Sequence, residues 1–302
     1  MNTQRYRGRF APSPTGPLHF GSLVAAVASF LDARSRGGEW LVRMEDLDPP
    51  REVPGAAVDI LRTLERFGLA WDGAVQYQSA RLDAYNDAID RLRATCSVYG
   101  CACSRREIAD SSLPGIEGPV YPGTCRVGMP VGRSERALRV RTDDAAIAFE
   151  DRWQGKIECA LARDIGDFVV RRADGLIAYQ LAVIVDDAAQ GITDVVRGAD
   201  LLYSTPRQLY LQRLLGIVSP RYAHLPAAVD ANGEKLSKQT GATAVAAEPV
   251  SPLLRRALLF LGQDAPMELE QGGLDDVWRF AIARWDDRRV PRARSSPVPA
   301  DR

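Results

Sequence analysis

Segments with strand character alternate with segments of helical spacing along much of this chain, and this alternation limits the fold more than any other feature. Residues 40–46 (WLVRMED) have the pattern of a buried strand, and residues 56–67 have helical spacing, with Ile60, Leu64 and Phe67 on one face. The composition, 46% hydrophobic and 26% charged over 302 residues, allows a sizeable core. The sequence therefore predicts an α/β fold in which crossover helices join the strands of a parallel sheet.

One stretch interrupts the alternation. Residues 96–165 are rich in cysteines, turn residues and short alternating strands, and they are predicted to form an insertion between two halves of one domain, residues 1–95 and 166–240. Residues 241–290 predict a short helical C-terminal region. The polar segment 291–302 (PRARSSPVPADR) predicts a disordered tail.

The chain has none of the sequence marks of a membrane or secreted protein. No apolar run reaches the roughly 20 residues that span a bilayer, and the first ten residues, MNTQRYRGRF, lack a signal-peptide core. Five cysteines, an odd number, do not suit a disulfide framework. A cytoplasmic protein without a membrane partner is predicted. Because the formal net charge is zero, any contact with RNA must come from local patches.

The first loop, RFAPSPTGPLHFGS (residues 9–22), combines a strand end, a proline-rich turn and the start of a helix predicted over residues 20–36. The free N–H groups and the dipole of a helix start favour phosphate. His19 can hydrogen-bond phosphate oxygens, and Gly21 would let a base or ribose approach the backbone. The loop matches neither a P-loop nor a GxGxxG fingerprint. A histidine that serves only the helix start is the alternative that these residues leave open.

Lysine usage marks a second loop. The chain has three lysines, Lys156, Lys235 and Lys238, and two of them lie in the segment KLSKQ, whereas arginine is used elsewhere. A compact ammonium group on a flexible stem suits contact with phosphates. Lysines placed by chance on a solvated loop would give the same pattern.

The cysteine spacing predicts a metal site. Cys101 and Cys103 are separated by one residue, and Tyr121 and Cys125 follow a loop rich in glycine and proline. Three thiolates can bind a tetrahedral metal and leave one position open, although three reduced cysteines without metal are the alternative. The remaining two, Cys96 and Cys159, fit no ligand position and are predicted to be core residues.

Taken together, RFAPSPTGPLHFG and KLSKQ resemble the two signature loops of class I aminoacyl-tRNA synthetases, and the first loop is similar to the glutamate-specific branch. The resemblance covers residues 5–290 and implies a Rossmann-like catalytic domain with a zinc-containing insertion. Ser22 stands where the first motif usually has a second histidine, and Gln239 ends the second motif. Residues 240–302 leave no room for the large helical anticodon-binding region of a glutamyl-tRNA synthetase. These departures resemble a truncated paralogue that attaches glutamate to the queuosine base of tRNA(Asp).

The resemblance implies an ATP-dependent ligase that converts ATP and L-glutamate to glutamyl-adenylate and pyrophosphate. A pocket for glutamate needs arginines for its carboxylates and an acid for its ammonium. The implied glutamate-binding residues are Arg9, Phe10, Ala11, Pro12, Ser13, Glu45, Tyr179 and Arg197. The implied ATP-binding residues are His19, Gly21, Ser22, Lys235 and Lys238, of which His19 and Lys238 are catalytic.

The resemblance also implies cofactors and a partner. Mg²⁺ is expected with ATP, and one structural Zn²⁺ is expected on Cys101, Cys103, Tyr121 and Cys125. The expected partner is the anticodon stem-loop of tRNA(Asp) carrying queuosine, and the expected state is a monomer. Three alternatives stay open: an ordinary glutamyl-tRNA synthetase fragment that charges the tRNA 3′ end, a catalytically inactive RNA-binding module, and a glutamate-adenylating enzyme with an acceptor other than RNA.

Overall fold

The protein is described here by a computed structural model that covers residues 5–230, 233–234 and 245–299. The strands are, in chain order, β1 (Arg7–Phe10), β2 (Glu39–Met44), β3 (Gln76–Tyr77), β4 (Val98–Cys101), β5 (Leu113–Gly115), β6 (Gly118–Val120), β7 (Ala137–Val140), β8 (Ala146–Asp151), β9 (Gly155–Ala160), β10 (Val169–Arg171), β11 (Asp194–Gly198), β12 (Arg221–Leu225), β13 (Ala227–Val229) and β14 (Ser295–Pro297). The α-helices are α1 (Phe20–Arg34), α2 (Ala56–Arg66), α3 (Leu82–Ala94), α4 (Arg105–Ser111), α5 (Leu161–Asp164), α6 (Tyr179–Ala189), α7 (Thr205–Leu215), α8 (Val250–Phe260) and α9 (Leu274–Arg284).

The parallel sheet is present as predicted. β1, β2 and β3 pair in parallel, and β11 and β12 form a second parallel pair. The two pieces adjoin at β1 and β11, where the backbone N–H of Thr193 donates to the carbonyl of Arg7 at 2.9 Å. The strands therefore run in the order β3, β2, β1, β11, β12, and the α/β fold class predicted from the alternation is confirmed.

Helix α1 is the centre of the larger apolar core. Three of its alanines, Ala26, Ala28 and Ala33, are fully buried, and such small side chains let the sheet approach on one side and α8 on another. Phe30 packs edge-on against Trp40 of β2 and Trp278 of α9. This packing holds the C-terminal half of α1 against β2 and α9. Among the described residues, no helix combines the length and the apolar character needed to cross a bilayer.

The insertion is a separate set of antiparallel strands. β7 pairs with β4 on one side and with β10 on the other, and β5–β6 and β8–β9 form hairpins. The sheet of the insertion includes β10, which lies beyond the predicted boundary at residue 165. Between β11 and β12, a 3-10 segment, Ala199–Ser204, leads directly into α7. Pro206 lies in the first turn of α7, where its missing N–H costs no hydrogen bond.

Two expectations were wrong. Cys96 is exposed and has a φ of 53°, because it lies in the turn after α3, whereas Cys159 is buried as predicted. The tail predicted to be disordered contains β14, which pairs in parallel with β13. Main-chain hydrogen bonds order this polar segment: Ala227 N donates to the carbonyl of Arg294 at 2.9 Å, and Val298 N donates to that of Val229 at 3.0 Å.

Candidate active site

A cavity of about 860 Å³ opens at the carboxyl ends of β1 and β11. From β1 the chain crosses through α1 to β2, and from β11 it crosses through α7 to β12 on the other side. The two strands therefore flank a switch point of the sheet, where open α/β sheets bind their ligands. The fold alone places the last residues of both strands, Arg9 and Arg197 among them, at this opening.

The structure brings all of the predicted glutamate-binding residues to this cavity. They are Arg9, Phe10, Ala11, Pro12, Ser13, Glu45, Tyr179 and Arg197. The backbone N–H of Glu45 donates to the carbonyl of Pro12 at 2.9 Å, so the end of β2 holds the loop that follows β1. The proximity is observed, and the binding roles stay predictions.

Arg197 is a buried cation whose described partners are all uncharged. Its side chain donates from Nε to His224 Nε2 at 2.9 Å and from Nη1 to the Tyr179 hydroxyl at 3.2 Å. Nη2 donates to Thr205 Oγ1 and to Gln208 Oε1, both at 2.8 Å. The residue is 5% exposed and lines the cavity. A buried guanidinium without a carboxylate beside it is costly, so the site favours an anion there.

Arg9 contrasts with Arg197, because it already has a counterion. Its Nε donates to Asp187 Oδ1 at 3.2 Å, and the same oxygen accepts from Arg43 Nη2 at 2.8 Å. All three side chains are buried. Burial alone would raise the pKa of Asp187, but Arg9 and Arg43 outweigh it and hold that pKa below its usual range.

Glu45 is the acid at the end of β2. Within the described part of the chain, its carboxylate has one ion-pair partner, Arg43 Nη2 at 3.4 Å. Burial raises the pKa of Glu45 even though Arg43 and Arg9 oppose that shift. A ligand ammonium beside this carboxylate would favour its ionised form. An amino acid carries such an ammonium group on its α-carbon.

The start of α1 forms another wall. His19 is the N-cap residue, its Nδ1 accepts from the backbone N–H of Ser22 at 3.4 Å, and its Nε2 lies 3.1 Å from Ser22 Oγ. His19, Gly21 and Ser22 all line the cavity. A Cβ at Gly21 would lie 3.2 Å from His19 Cε1, so the glycine leaves space for the imidazole. This reason differs from the close ligand approach that the sequence suggested. Lys235 and Lys238 lie outside the described residues.

Sequence reasoning missed the residues that contact the predicted cavity-lining side chains from behind. They are Arg43, Asp187, Thr205, Gln208 and His224. Two signals could have found some of them: paired acids at the end of the apolar segment AYQLAVIVDD, and the second of only two histidines, in the segment AHLP. Neither signal names a partner, because each contact joins distant parts of the chain.

The predicted metal ligands form a compact cluster in the insertion. The sulfurs of Cys101, Cys103 and Cys125 all lie within 4.8 Å of one another, and those of Cys103 and Cys125 are 3.6 Å apart. The Tyr121 hydroxyl lies 3.4 Å from Cys101 Sγ and 3.5 Å from Cys103 Sγ. The guanidinium of Arg139 stacks on the Tyr121 ring at 4.0 Å. Zn–S bonds of about 2.3 Å in a tetrahedron give S–S distances of about 3.8 Å, so the sulfurs suit that ion.

The sheet order, the cavity at its switch point and the charged residues around it define a catalytic domain of the class I synthetase type. The chain belongs to this family, because the profile described as tRNA synthetases class I (E and Q), catalytic domain, matches residues 5–256. The resemblance inferred from the two signature loops is thereby confirmed.

Individual relatives are more specific. The chain is 61% identical over 297 residues to the glutamyl-Q tRNA(Asp) synthetase of Dechloromonas aromatica (strain RCB), covering 98% of this chain and 99% of the relative. It is 58% identical to the protein of the same name from Chromobacterium violaceum, covering 96% and 97%. Among solved structures, the glutamate-tRNA synthetase of Elizabethkingia anophelis superposes with a TM-score of 0.81 at 25% identity, covering 98% of this chain and 68% of that one.

Proposed function

We propose that this protein activates L-glutamate with ATP to form glutamyl-adenylate and transfers the glutamate to the queuosine base in the anticodon of tRNA(Asp). The observation that carries the first step is the buried Arg197, whose described partners are uncharged. The relatives named glutamyl-Q tRNA(Asp) synthetase support the acceptor, since they match nearly the whole chain. The cytoplasmic location and the monomeric state stay predictions.

Charge explains the choice of amino acid. Arg9 and Arg43 already have Asp187 as a counterion, and Asp186 lies 3.8 Å from Arg43. Arg197, in contrast, has only uncharged hydrogen-bond partners among the described residues. The side-chain carboxylate of glutamate would bind Arg197, and its ammonium would lie against Glu45. Glutamine, whose side chain is neutral, would leave Arg197 buried without an anion.

Activation takes place between the glutamate-binding residues around Arg197 and the phosphate-binding start of α1. The α-carboxylate oxygen of glutamate attacks the α-phosphorus of ATP, the bond from that phosphorus to the bridging oxygen breaks, and pyrophosphate leaves. The N–H groups at the start of α1, together with His19, stabilise the developing negative charge. Lys238, outside the described residues, is proposed to act on the α-phosphate, and Lys235 on the closing loop. Bound Mg²⁺ would neutralise phosphate charge.

Transfer of labelled glutamate tests this proposal. We expect label on tRNA(Asp) that carries queuosine and none on tRNA(Asp) that lacks it or on tRNA(Glu). The measurement is acid-precipitable label with each RNA, with ATP omitted as the control. Label on tRNA(Glu) would favour charging of the 3′ end. Activation without transfer would indicate another acceptor, and no activation would indicate an inactive RNA-binding module.

The thiol cluster is proposed to hold one structural zinc ion on Cys101, Cys103, Tyr121 and Cys125. Two ligands lie at the end of β4 and just after it, and two lie after β6, so the ion would join segments that share little apolar core of their own. Bound zinc would supply folding free energy to the insertion and no step of the reaction.

Elemental analysis tests the zinc proposal. Protein purified without chelator is expected to contain one zinc per chain. Cys125→Ser is expected to lose most of this zinc, because one of the three thiolate ligands is gone. Cys96→Ser is the matched control, since Cys96 lies in the same insertion but is exposed. Zinc-free wild-type protein, or equal zinc in the two variants, would contradict the assignment.

A further inference from the structure

We propose that His224 is a positioning residue that orients Arg197 through the lone pair of a neutral imidazole. The inference rests on the proposed function, because Arg197 is the cation that would bind a carboxylate of glutamate. His224 lies in β12, is fully buried, and is separate from the residues that line the cavity. It acts through Arg197 and does not touch the substrate.

Asp151 determines which nitrogen of His224 carries the proton. Its Oδ2 lies 2.6 Å from His224 Nδ1, and its Oδ1 accepts from the backbone N–H groups of Trp153, Gln154 and His224. Burial would raise the pKa of Asp151, but these hydrogen bonds outweigh burial and lower it, so it is ionised near neutral pH. A carboxylate only accepts hydrogen bonds, so Nδ1 of His224 must be the protonated nitrogen.

The other nitrogen is then an acceptor aimed at Arg197. His224 Nε2 lies 2.9 Å from Arg197 Nε, and guanidinium nitrogens only donate. With Nε held by His224, Nη1 by Tyr179 and Nη2 by Gln208, the plane of the guanidinium is fixed along its length. A guanidinium held in this way keeps its orientation before the substrate arrives, which lowers the cost of binding a carboxylate.

Burial and the charge of Arg197 keep His224 neutral against two acidic neighbours, Asp151 and Asp200. The groups that face the ring are Asp151, Arg197, the Thr205 hydroxyl at 3.3 Å and the stacked ring of Tyr222, and Asp200 acts through its charge. A second ring proton would place an N–H of His224 against the N–H of Arg197. Burial and the charge of Arg197 lower the pKa of His224 to about 4, although Asp151 opposes this.

Two substitutions separate the two hydrogen bonds of the ring. His224→Asn keeps an amide donor near the position of Nδ1 but has no atom that reaches Arg197. His224→Gln places its carbonyl oxygen near the position of Nε2, where it can accept from Arg197. Losing a hydrogen bond to a charged group costs about 1.5–3 kcal/mol, which corresponds to about 10–100-fold in affinity.

Glutamate-dependent exchange of pyrophosphate into ATP provides the kinetic test. We expect His224→Asn to raise the KM for glutamate about 10–100-fold, with the KM for ATP changed less than about threefold. His224→Gln is expected to stay within about threefold of wild type for both substrates. Equal glutamate KM values in the two variants, or an equal rise in the KM for ATP, would overturn the inference.

A spectroscopic test of the tautomer uses the wild-type protein and does not depend on how the His224 variants fold. The chain has two histidines, so ¹⁵N NMR of histidine-labelled protein gives two ring systems, which His19→Gln assigns. We expect His224 to be neutral at pH 7 with its proton on Nδ1. A proton on Nε2, or a doubly protonated ring, would refute the proposal. Failure of wild-type protein to activate glutamate would instead count against the proposed function, whatever the tautomer.

Discussion

Arg197→Ala is expected to reduce kcat/KM for glutamate activation by about 10³-fold. Truncating one partner of a buried, hydrogen-bonded charge pair costs about 2–5 kcal/mol, and each 1.4 kcal/mol corresponds to about tenfold. Arg197→Lys keeps the charge but loses the planar set of donors that engages His224, Thr205 and Gln208, so it should be impaired to a lesser degree. Glutamate-dependent pyrophosphate exchange is the measurement.

The matched control for this experiment is Arg163→Ala. Arg163 lies in α5, is 79% exposed at the side chain, and pairs with Asp164 beside it in the chain. Its loss should leave exchange unchanged. Activity of Arg197→Ala within about threefold of wild type would show that this guanidinium does not recognise glutamate. That result would also contradict the charge argument for the substrate.

Asp187→Asn is expected to reduce the free energy of unfolding by about 3–5 kcal/mol. The carboxylate of Asp187 lies between Arg9 and Arg43, and its neutralisation leaves buried guanidinium groups without their closest counterion. Arg43 keeps a hydrogen bond to the uncharged Gln190 at 2.6 Å, and its remaining carboxylates are more distant, Glu45 at 3.4 Å and Asp186 at 3.8 Å. Urea unfolding monitored by tryptophan fluorescence measures the loss.

The effect of Asp187→Asn should depend on pH with a defined sign. The folded-state pKa of Asp187 is lowered, so its contribution is present above its unfolded pKa of about 3.9 and is lost as the pH falls through the folded-state value. The difference from wild type should therefore shrink below about pH 4. Asp276→Asn, at an exposed ion pair with Arg279, is the control and should change stability by less than about 0.5 kcal/mol. A similar loss of stability in both variants would contradict the role of Asp187 as the buried counterion of Arg9 and Arg43.

The sequence predicted the parallel sheet because alternating periodicity is a local pattern, whereas the resemblance to the synthetase family supplied the predicted residues of the cavity wall. Alternating apolar periods indicate crossover units, and the carboxyl ends of neighbouring strands bring Arg9 and Arg197 to one opening. The contacts behind that wall could not be predicted in the same way. Asp151 and His224 meet across the chain, and so do Arg43 and Asp187. Their pairing depends on how β8 lies against β12 and how α6 lies against β2, which no short sequence window encodes.

The misplaced expectations have a similar cause. Cys96 was assigned to the core on residue type, but it occupies a turn with a positive φ after α3. The polar segment after residue 290 lacks the apolar residues of a core strand, yet backbone hydrogen bonds to β13 order it as β14. Composition describes side chains, whereas main-chain conformation and hydrogen bonding determine the structure of both segments.

The pairing of β14 with β13 has a consequence for the order of events during synthesis. Ala227 and Ala228 of β13 line the cavity, and they pair with residues 295–296, near the far end of the described chain. β1, which also contributes to the cavity, is made first. The ribosome therefore translates almost all of this sequence before β14 can pair with β13, so we expect the cavity to be completed late in the folding of a nascent chain.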